Sequence, residues 1–275
     1  MLRILLVAVC AICLPQAALA GLKERSLPDC GSIYAEPFAS AADAGRRTCL
    51  PSGSRNYSPK HKGLGFQILD LESEASFVPD DAYRLLDSVI DQVLAQLPTA
   101  KRQSNANSNI SDVLAVSTVT GNVLAKSGFG LYIPTETLGD ALAFRNAPGE
   151  EPRHVFDCDT GSMILLTVAQ SLSLPASLVE ITLPSGNGHN YVRWDVGGNS
   201  TVDWDTNGRA QCTTPSNMPS FQGKSMSQTE TMSYALMLRA PLWQKRGLVA
   251  RAVDDYREAA KGRPDHPAPL NNLPG

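Results

Sequence analysis

Residues 156–209 read FDCDTGSMILLTVAQSLSLPASLVEITLPSGNGHNYVRWDVGGNSTVDWDTNGR, and this stretch decides the fold. Asp157 is a good N-cap for a helix over about residues 158–173, and Pro175 ends that helix. Three β-rich runs follow, separated by turn signals, at residues 178–183, 189–196 and 201–205. One long helix followed by antiparallel hairpins predicts an α+β fold.

The same stretch places a cysteine where it could become a nucleophile. Cys158 would lie in the first turn of the helix, where unpaired backbone N–H groups and the helix dipole stabilise a thiolate. Its neighbours Asp157 and Asp159 oppose thiolate formation, so a cationic imidazole is needed as partner. With that partner we expect the pKa of Cys158 to lie well below the reference value of about 8.5.

A histidine and two carboxylates could complete such a site. His189 opens the second predicted strand, and it would act as base toward Cys158 and as acid toward the leaving group. Asp203 and Asp205 lie two apart on one face of the third strand, and either could accept the second imidazole N–H. The alternatives are a structural histidine, turn carboxylates in VDWDTNG, and a disulfide between Cys158 and Cys212.

These residues resemble the transglutaminase-like superfamily of cysteine enzymes, which share a papain-like core. The family pattern is a cysteine at a helix start, a long apolar helix ending in a Leu-Pro turn, a strand opening with histidine, and an aspartate in the next strand. Here the matching segments are Cys158, SLSLPA at 171–176, HNYVRW at 189–194 and VDWDTNGR at 202–209. TLGDAL at 137–142 also resembles the short helix of bacterial members that carry tetratricopeptide repeats.

The resemblance implies an enzyme that cleaves or exchanges an amide of a protein or peptide substrate through a thioester at Cys158. His189 would be the base, an aspartate would orient it, and no cofactor is implied. The backbone N–H of Cys158 would donate to the oxyanion because it lies at a helix N-terminus. The resemblance leaves hydrolysis and transamidation equally open.

The chain departs from the family pattern at two places. Ser173 stands where a glycine is usual before the helix-ending Leu-Pro, and no proline follows either Asp203 or Asp205. Alignment on Gly208 and Arg209 favours Asp203 as the third catalytic residue, with Asp205 as the alternative.

The first twenty residues, MLRILLVAVCAICLPQAALA, have the pattern of a secretory signal peptide. No later run is long enough to cross a bilayer, so we expect a secreted or periplasmic protein with no membrane span after cleavage. Of the four cysteines that remain, we expect Cys30 to pair with Cys49. The formal net charge of −3 argues against nucleic-acid binding, which needs a basic face.

The C-terminal segment resembles a tetratricopeptide repeat. Ala252, Tyr256, Ala259 and Pro264 have the spacing of the second helix of that repeat, and Pro241 predicts an irregular first helix around residues 233–246. One repeat cannot bury its own apolar face, so it should pack on the main domain or on a protein partner.

The expected organisation is a signal peptide at 1–20, an irregular N-terminal arm at 21–65, a transglutaminase-like domain at 66–210, a linker at 211–229 and a single helical repeat at 230–275. Within it, a short strand is predicted at 65–71 and helices at about 80–97, 110–126 and 137–144. Two other functions are compatible with the sequence: a catalytically inactive interaction module that uses its helical repeat, and a disulfide-stapled structural protein.

Overall fold

The computed structural model describes residues 56–97, 110–131, 137–143, 154–183, 188–197, 200–206, 212–213, 223–266 and 272. All of them belong to one compact unit, residues 47–275. The predicted signal peptide and the predicted pair Cys30–Cys49 lie outside the described residues. No helix within the described ranges is both long and apolar enough to cross a membrane.

The described residues form seven helices and six strands in a mixed α+β arrangement, with four consecutive strands between the fifth helix and the last two helices. The helices are α1 (Leu64–Ala75), α2 (Asp80–Gln96), α3 (Ile110–Lys126), α4 (Leu138–Leu142), α5 (Cys158–Ser171), α6 (Gln228–Lys245) and α7 (Val249–Gly262). The strands are β1 (Phe129–Leu131), β2 (His154–Phe156), β3 (Ala176–Thr182), β4 (Gly188–Asp195), β5 (Thr201–Trp204) and β6 (Cys212–Thr213). The predicted elements over 80–97, 110–126, 137–144 and 158–205 are confirmed to within a few residues.

An antiparallel sheet with the order β3-β4-β5-β6 carries the predicted hairpins, while β1 and β2 form a separate parallel pair. In the large sheet Val192 lies opposite Leu178 on one side and opposite Trp204 on the other. Strand side chains alternate between faces, so the even-numbered residues of β4 share one face and the odd-numbered residues share the other. The even face, with the buried Val192 and Trp194, belongs to the main core together with the apolar side of α5.

The predicted strand at residues 65–71 is wrong, because this segment lies within α1. The first N–H groups of α1 have acceptors on a helix far away in sequence. Leu64 N–H donates to Gln170 Oε1 at 2.7 Å, and Gly65 N–H donates to Thr167 Oγ1 at 2.8 Å. A helix whose N-terminus is capped by tertiary contacts carries no local capping signal in its own sequence.

Ser173, which follows the C-cap of α5, has a φ of 56°. This left-handed conformation favours glycine, and the resemblance places a glycine at this position. The chain then turns through Pro175 into β3.

The two C-terminal helices form a hairpin that packs on α1. Ala252, Tyr256 and Ala259 are all buried, as the repeat spacing predicts. Arg239 of α6 donates to Asp255 of α7 and to Glu74 of α1, with N–O distances of 2.6 to 2.8 Å. The expected irregularity of the first helix is wrong, because α6 continues through Pro241 and begins earlier, at a capping box of Ser227 and Glu230.

Candidate active site

The N-terminus of α5 is built as the local sequence predicts. Asp157 is the N-cap, and its carboxylate accepts from the backbone N–H of Asp159 at 3.1 Å and of Thr160 at 3.0 Å. Thr160 Oγ1 accepts in return from the N–H of Asp157 at 3.0 Å, which completes a capping box. Cys158 is therefore the first residue of the helix, and it is half-buried with a free thiol.

Among the described side chains, Cys158 has a free thiol. The Asp157 carboxylate caps the N–H groups of Asp159 and Thr160, and none of the described capping bonds uses the N–H of Cys158. The N–H groups of the first turn of a helix have no acceptor within the helix, and the N–H of Cys158 is one of them.

The sulfur of Cys158 lies between an acceptor and a donor. Its S–H donates to Asp159 Oδ1 at 3.3 Å, and the backbone N–H of Asn190 donates to the sulfur. Burial, followed by the negative charge of Asp159, raises the pKa of the Cys158 thiol to about 12. The expected lowering of this pKa is therefore wrong, because desolvation and the adjacent carboxylate outweigh the helix N-terminus.

His189 is paired with Asp205. Its Nε2 lies 3.0 Å from Asp205 Oδ2, and the two side chains are only 10% and 16% exposed. In the β4–β5 register Arg193 lies opposite Asp203, which puts Asp205 diagonally across from His189 on the same face. A proton on Nε2 shared with the carboxylate leaves Nδ1 as the basic atom of the neutral ring.

The preference for Asp203 as the partner of His189 is corrected. Asp203 accepts two hydrogen bonds from Arg193, from Nε at 2.7 Å and from Nη2 at 2.9 Å. It also lies four positions along the ladder from His189, a distance of roughly 13 Å at the usual strand rise. The carboxylate of Asp203 is buried and neutralises Arg193, whose Nη2 also donates to Tyr191 at 2.9 Å.

Two contacts connect α5 with the segments that carry this pair, one to the residue after His189 and one to the residue after Asp205. Asn190, whose N–H contacts the Cys158 sulfur, directly follows His189. Thr206, which directly follows Asp205, packs so closely on Gly161 that a Cβ there would lie 2.9 Å from Thr206 Oγ1. Strand alternation puts His189 and Asn190 on opposite faces of β4, so α5 meets β4 through Asn190.

Two residues near the thiol were not predicted from the sequence. Asn190 Nδ2 donates to the Asp159 carboxylate and also to Tyr234 Oη, the latter at 2.7 Å. Tyr234 lies on α6 and also hydrogen-bonds to Asp159. Asn190 belongs to the HNY segment and could have been suspected there, whereas Tyr234 lies in the C-terminal helices and carries no local signal.

No protein-family model, curated protein or solved structure matches the chain. Within the described ranges, no group of three or more His, Cys, Asp or Glu side chains has a geometry that could hold a metal ion.

Proposed function

We propose that this chain is an exported, cysteine-dependent amide hydrolase or acyl transferase of the transglutaminase-like type. One observation carries the proposal: a free thiol at the first residue of α5 is hydrogen-bonded to the backbone of the residue that follows His189, and His189 is paired with Asp205. A cysteine at a helix N-terminus, a histidine and an orienting carboxylate are the parts that thioester chemistry requires.

The proposed reaction begins from a neutral thiol. Cys158 transfers its proton to His189 Nδ1 as the sulfur attacks the carbonyl carbon of the substrate amide. The S–C bond forms, the C–N bond breaks, and the imidazolium returns the proton to the departing amine. Water or a second amine then releases the acyl group from the sulfur. Release by water is hydrolysis, and release by a second amine is acyl transfer.

Asp205 and the helix N-terminus would have defined roles in this sequence. Asp205 holds the imidazole in the tautomer with its proton on Nε2 and stabilises the imidazolium that forms. The backbone N–H of Cys158 donates to the oxyanion of the tetrahedral intermediate, because it lies at the positive end of the α5 dipole.

An activated ester tests the proposal without knowledge of the natural substrate. On mixing with p-nitrophenyl acetate, we expect a burst of nitrophenolate and a hydroxylamine-sensitive acetyl group on the peptide that contains Cys158. Cys158→Ala should acquire no acetyl group on that peptide. His189→Ala should acquire it about a hundredfold or more slowly, since general base catalysis is worth that much. Acetylation at the same rate in His189→Ala and in the wild-type protein would contradict the proposal.

An interaction module without catalysis is the second candidate, and the hydrogen bond from the half-buried Cys158 thiol to the Asp159 carboxylate favours it. In that case the thiol is a buried structural group, and the α6–α7 hairpin is the functional part. Wild-type protein that forms no thioester, while removal of residues 228–262 abolishes capture of a protein partner, would support this candidate.

A further inference from the structure

The Cys158 thiol belongs to a hydrogen-bonded cluster with three other side chains, and the four side chains come from three separate elements. Asp159 of α5 accepts from the Cys158 thiol, from Asn190 Nδ2 of β4 and from the hydroxyl of Tyr234 on α6. Asn190 and Tyr234 are 1% and 4% exposed. We name these three residues, Asp159, Asn190 and Tyr234, the thiol clamp.

We propose that the thiol clamp is a positioning group by which the C-terminal hairpin keeps Cys158 protonated and sets its reactivity. This inference rests on the proposed function, because it explains how the nucleophile of that reaction is held at rest. The carboxylate of Asp159 accepts the thiol hydrogen, and its negative charge opposes the formation of a thiolate beside it. Asn190 and Tyr234 hold that carboxylate in place with their own hydrogen bonds.

The contacts of Tyr234 make the clamp dependent on the hairpin. Its hydroxyl accepts from Asn190 at 2.7 Å and donates to Asp159, so it joins β4 to α5. The guanidinium of Arg263, the C-cap residue of α7, lies 5.6 Å from the centre of the Tyr234 ring and is also paired with Glu180 of β3. A displacement of α6 would therefore withdraw one of the donors that hold Asp159 against the sulfur.

The other charged groups near the thiol clamp have hydrogen-bond or ion-pair partners outside it. Asp157 accepts from backbone N–H groups of α5, and His189 is paired with Asp205. Glu180 faces Arg263 and also His266, at 3.1 Å from the latter. Asp159 is thus the carboxylate that directly accepts from the thiol, and its removal is the most direct perturbation.

The test is the pH dependence of alkylation at Cys158 in the full chain. Iodoacetamide would be the reagent, and peptide mass spectrometry would separate Cys158 from the other cysteines. Asp159→Asn keeps the shape of the side chain but removes its charge. We expect the midpoint of the rate profile to fall by at least one pH unit and the rate at pH 7 to rise about tenfold, since alkylation follows the thiolate fraction. Tyr234→Phe should shift the midpoint in the same direction by less.

Tyr256→Phe is the matched control, because it removes another buried tyrosine hydroxyl from the same hairpin. Tyr256 belongs to a separate apolar cluster with Ala75 and Trp243, whereas Tyr234 belongs to the main core. The alkylation profile of Tyr256→Phe should superimpose on that of the wild-type protein. Urea unfolding of each variant shows whether it is folded under the conditions of the alkylation assay. If Tyr234→Phe does not fold, the alkylation profile of Asp159→Asn alone tests the thiol clamp.

Profiles of Asp159→Asn and Tyr234→Phe that superimpose on the wild-type profile would overturn the clamp. That failure differs from a failure of the proposed function. If only the clamp is wrong, His189→Ala still slows acetylation of Cys158. If only the proposed function is wrong, Asp159→Asn still shifts the alkylation profile while His189→Ala leaves acetylation unchanged.

Discussion

Two aspartates separated by a single residue have different roles, and strand register assigns them. Arg193 lies opposite Asp203, so the guanidinium and that carboxylate pair inside the sheet. Asp205 lies beyond the end of β5 and reaches His189. Composition and local spacing do not distinguish the two carboxylates. The register of β4 and β5 makes Asp203 the ion-pair partner of Arg193 and Asp205 the partner of the His189 imidazole.

Separate alanine substitutions should divide activity from stability. Asp205→Ala removes the acceptor for His189 Nε2, and we expect thioester formation at Cys158 to fall about a hundredfold or more, with a change of at most about 1 kcal/mol in the free energy of unfolding. Asp203→Ala leaves the charge of Arg193 largely buried and unpaired, and we expect a loss of about 3 kcal/mol. Urea unfolding and the acetylation assay check both. Loss of acetylation confined to Asp203→Ala, in stable protein, would reverse the assignment.

At the scale of elements, the close contact between α5 and the end of β5 depends on a glycine within a helix. A Cβ at residue 161 would lie 2.8 Å from Phe156 Cδ2 and 2.9 Å from Thr206 Oγ1. Contacts shorter than 3.0 Å require one of the partners to move. Because Thr206 follows Asp205, such a movement would also disturb the partner of His189.

Gly161→Ala should therefore destabilise the protein although alanine is the better helix former. We expect a loss of about 1–3 kcal/mol from overpacking, together with slower acetylation of Cys158. Gly121→Ala is the control, because Gly121 lies in α3 with nothing within 4 Å of the added Cβ. There we expect a gain of up to about 1 kcal/mol from helix propensity alone. Equal gains at the two sites, measured by urea unfolding, would contradict the close contact.

At the scale of the whole molecule, buried polar side chains tie segments that are far apart in sequence. Glu72 of α1 is 3% exposed and accepts from the backbone N–H groups of Leu138 and Gly139 at 2.8 and 2.7 Å. It thereby holds the N-terminus of α4 against α1. Burial raises the pKa of Glu72 to about 7.

The contribution of Glu72 to the free energy of unfolding should consequently fall as the pH rises toward neutrality. The pKa of Glu72 is about 7 when folded and near its ordinary 4.5 when unfolded, so the folded state binds the extra proton between these values. The stabilisation is fully present below about pH 4.5 and is lost as the pH rises through about 7, with a change of about 3 kcal/mol at most. We expect Glu72→Gln to remove this part of the pH dependence of urea unfolding. Parallel pH profiles for the variant and the wild-type protein would refute the assignment.

Much of the fold follows from the sequence because the relevant interactions are local. The apolar periodicity and Pro98 determine α2, and the capping box around Asp157 determines where α5 begins. Alternation and turn residues determine β3, β4 and β5. The same local patterns predicted that Cys158 lies at the start of a helix and His189 at the start of a strand. Each of these signals acts over a few residues, so a single sequence carries it.

Tertiary structure alone decided the remaining features, because each depends on groups that are distant in the chain. The helix at 64–75 has its first N–H groups capped by Thr167 and Gln170, about one hundred residues further on. The partner of His189 depends on the register between two strands, and a shift of two residues would exchange the aspartates. The protonation of Cys158 depends on burial and on a carboxylate held by Tyr234 from α6. Desolvation and long-range hydrogen bonds arise only when the segments pack together, so no local pattern could have predicted them.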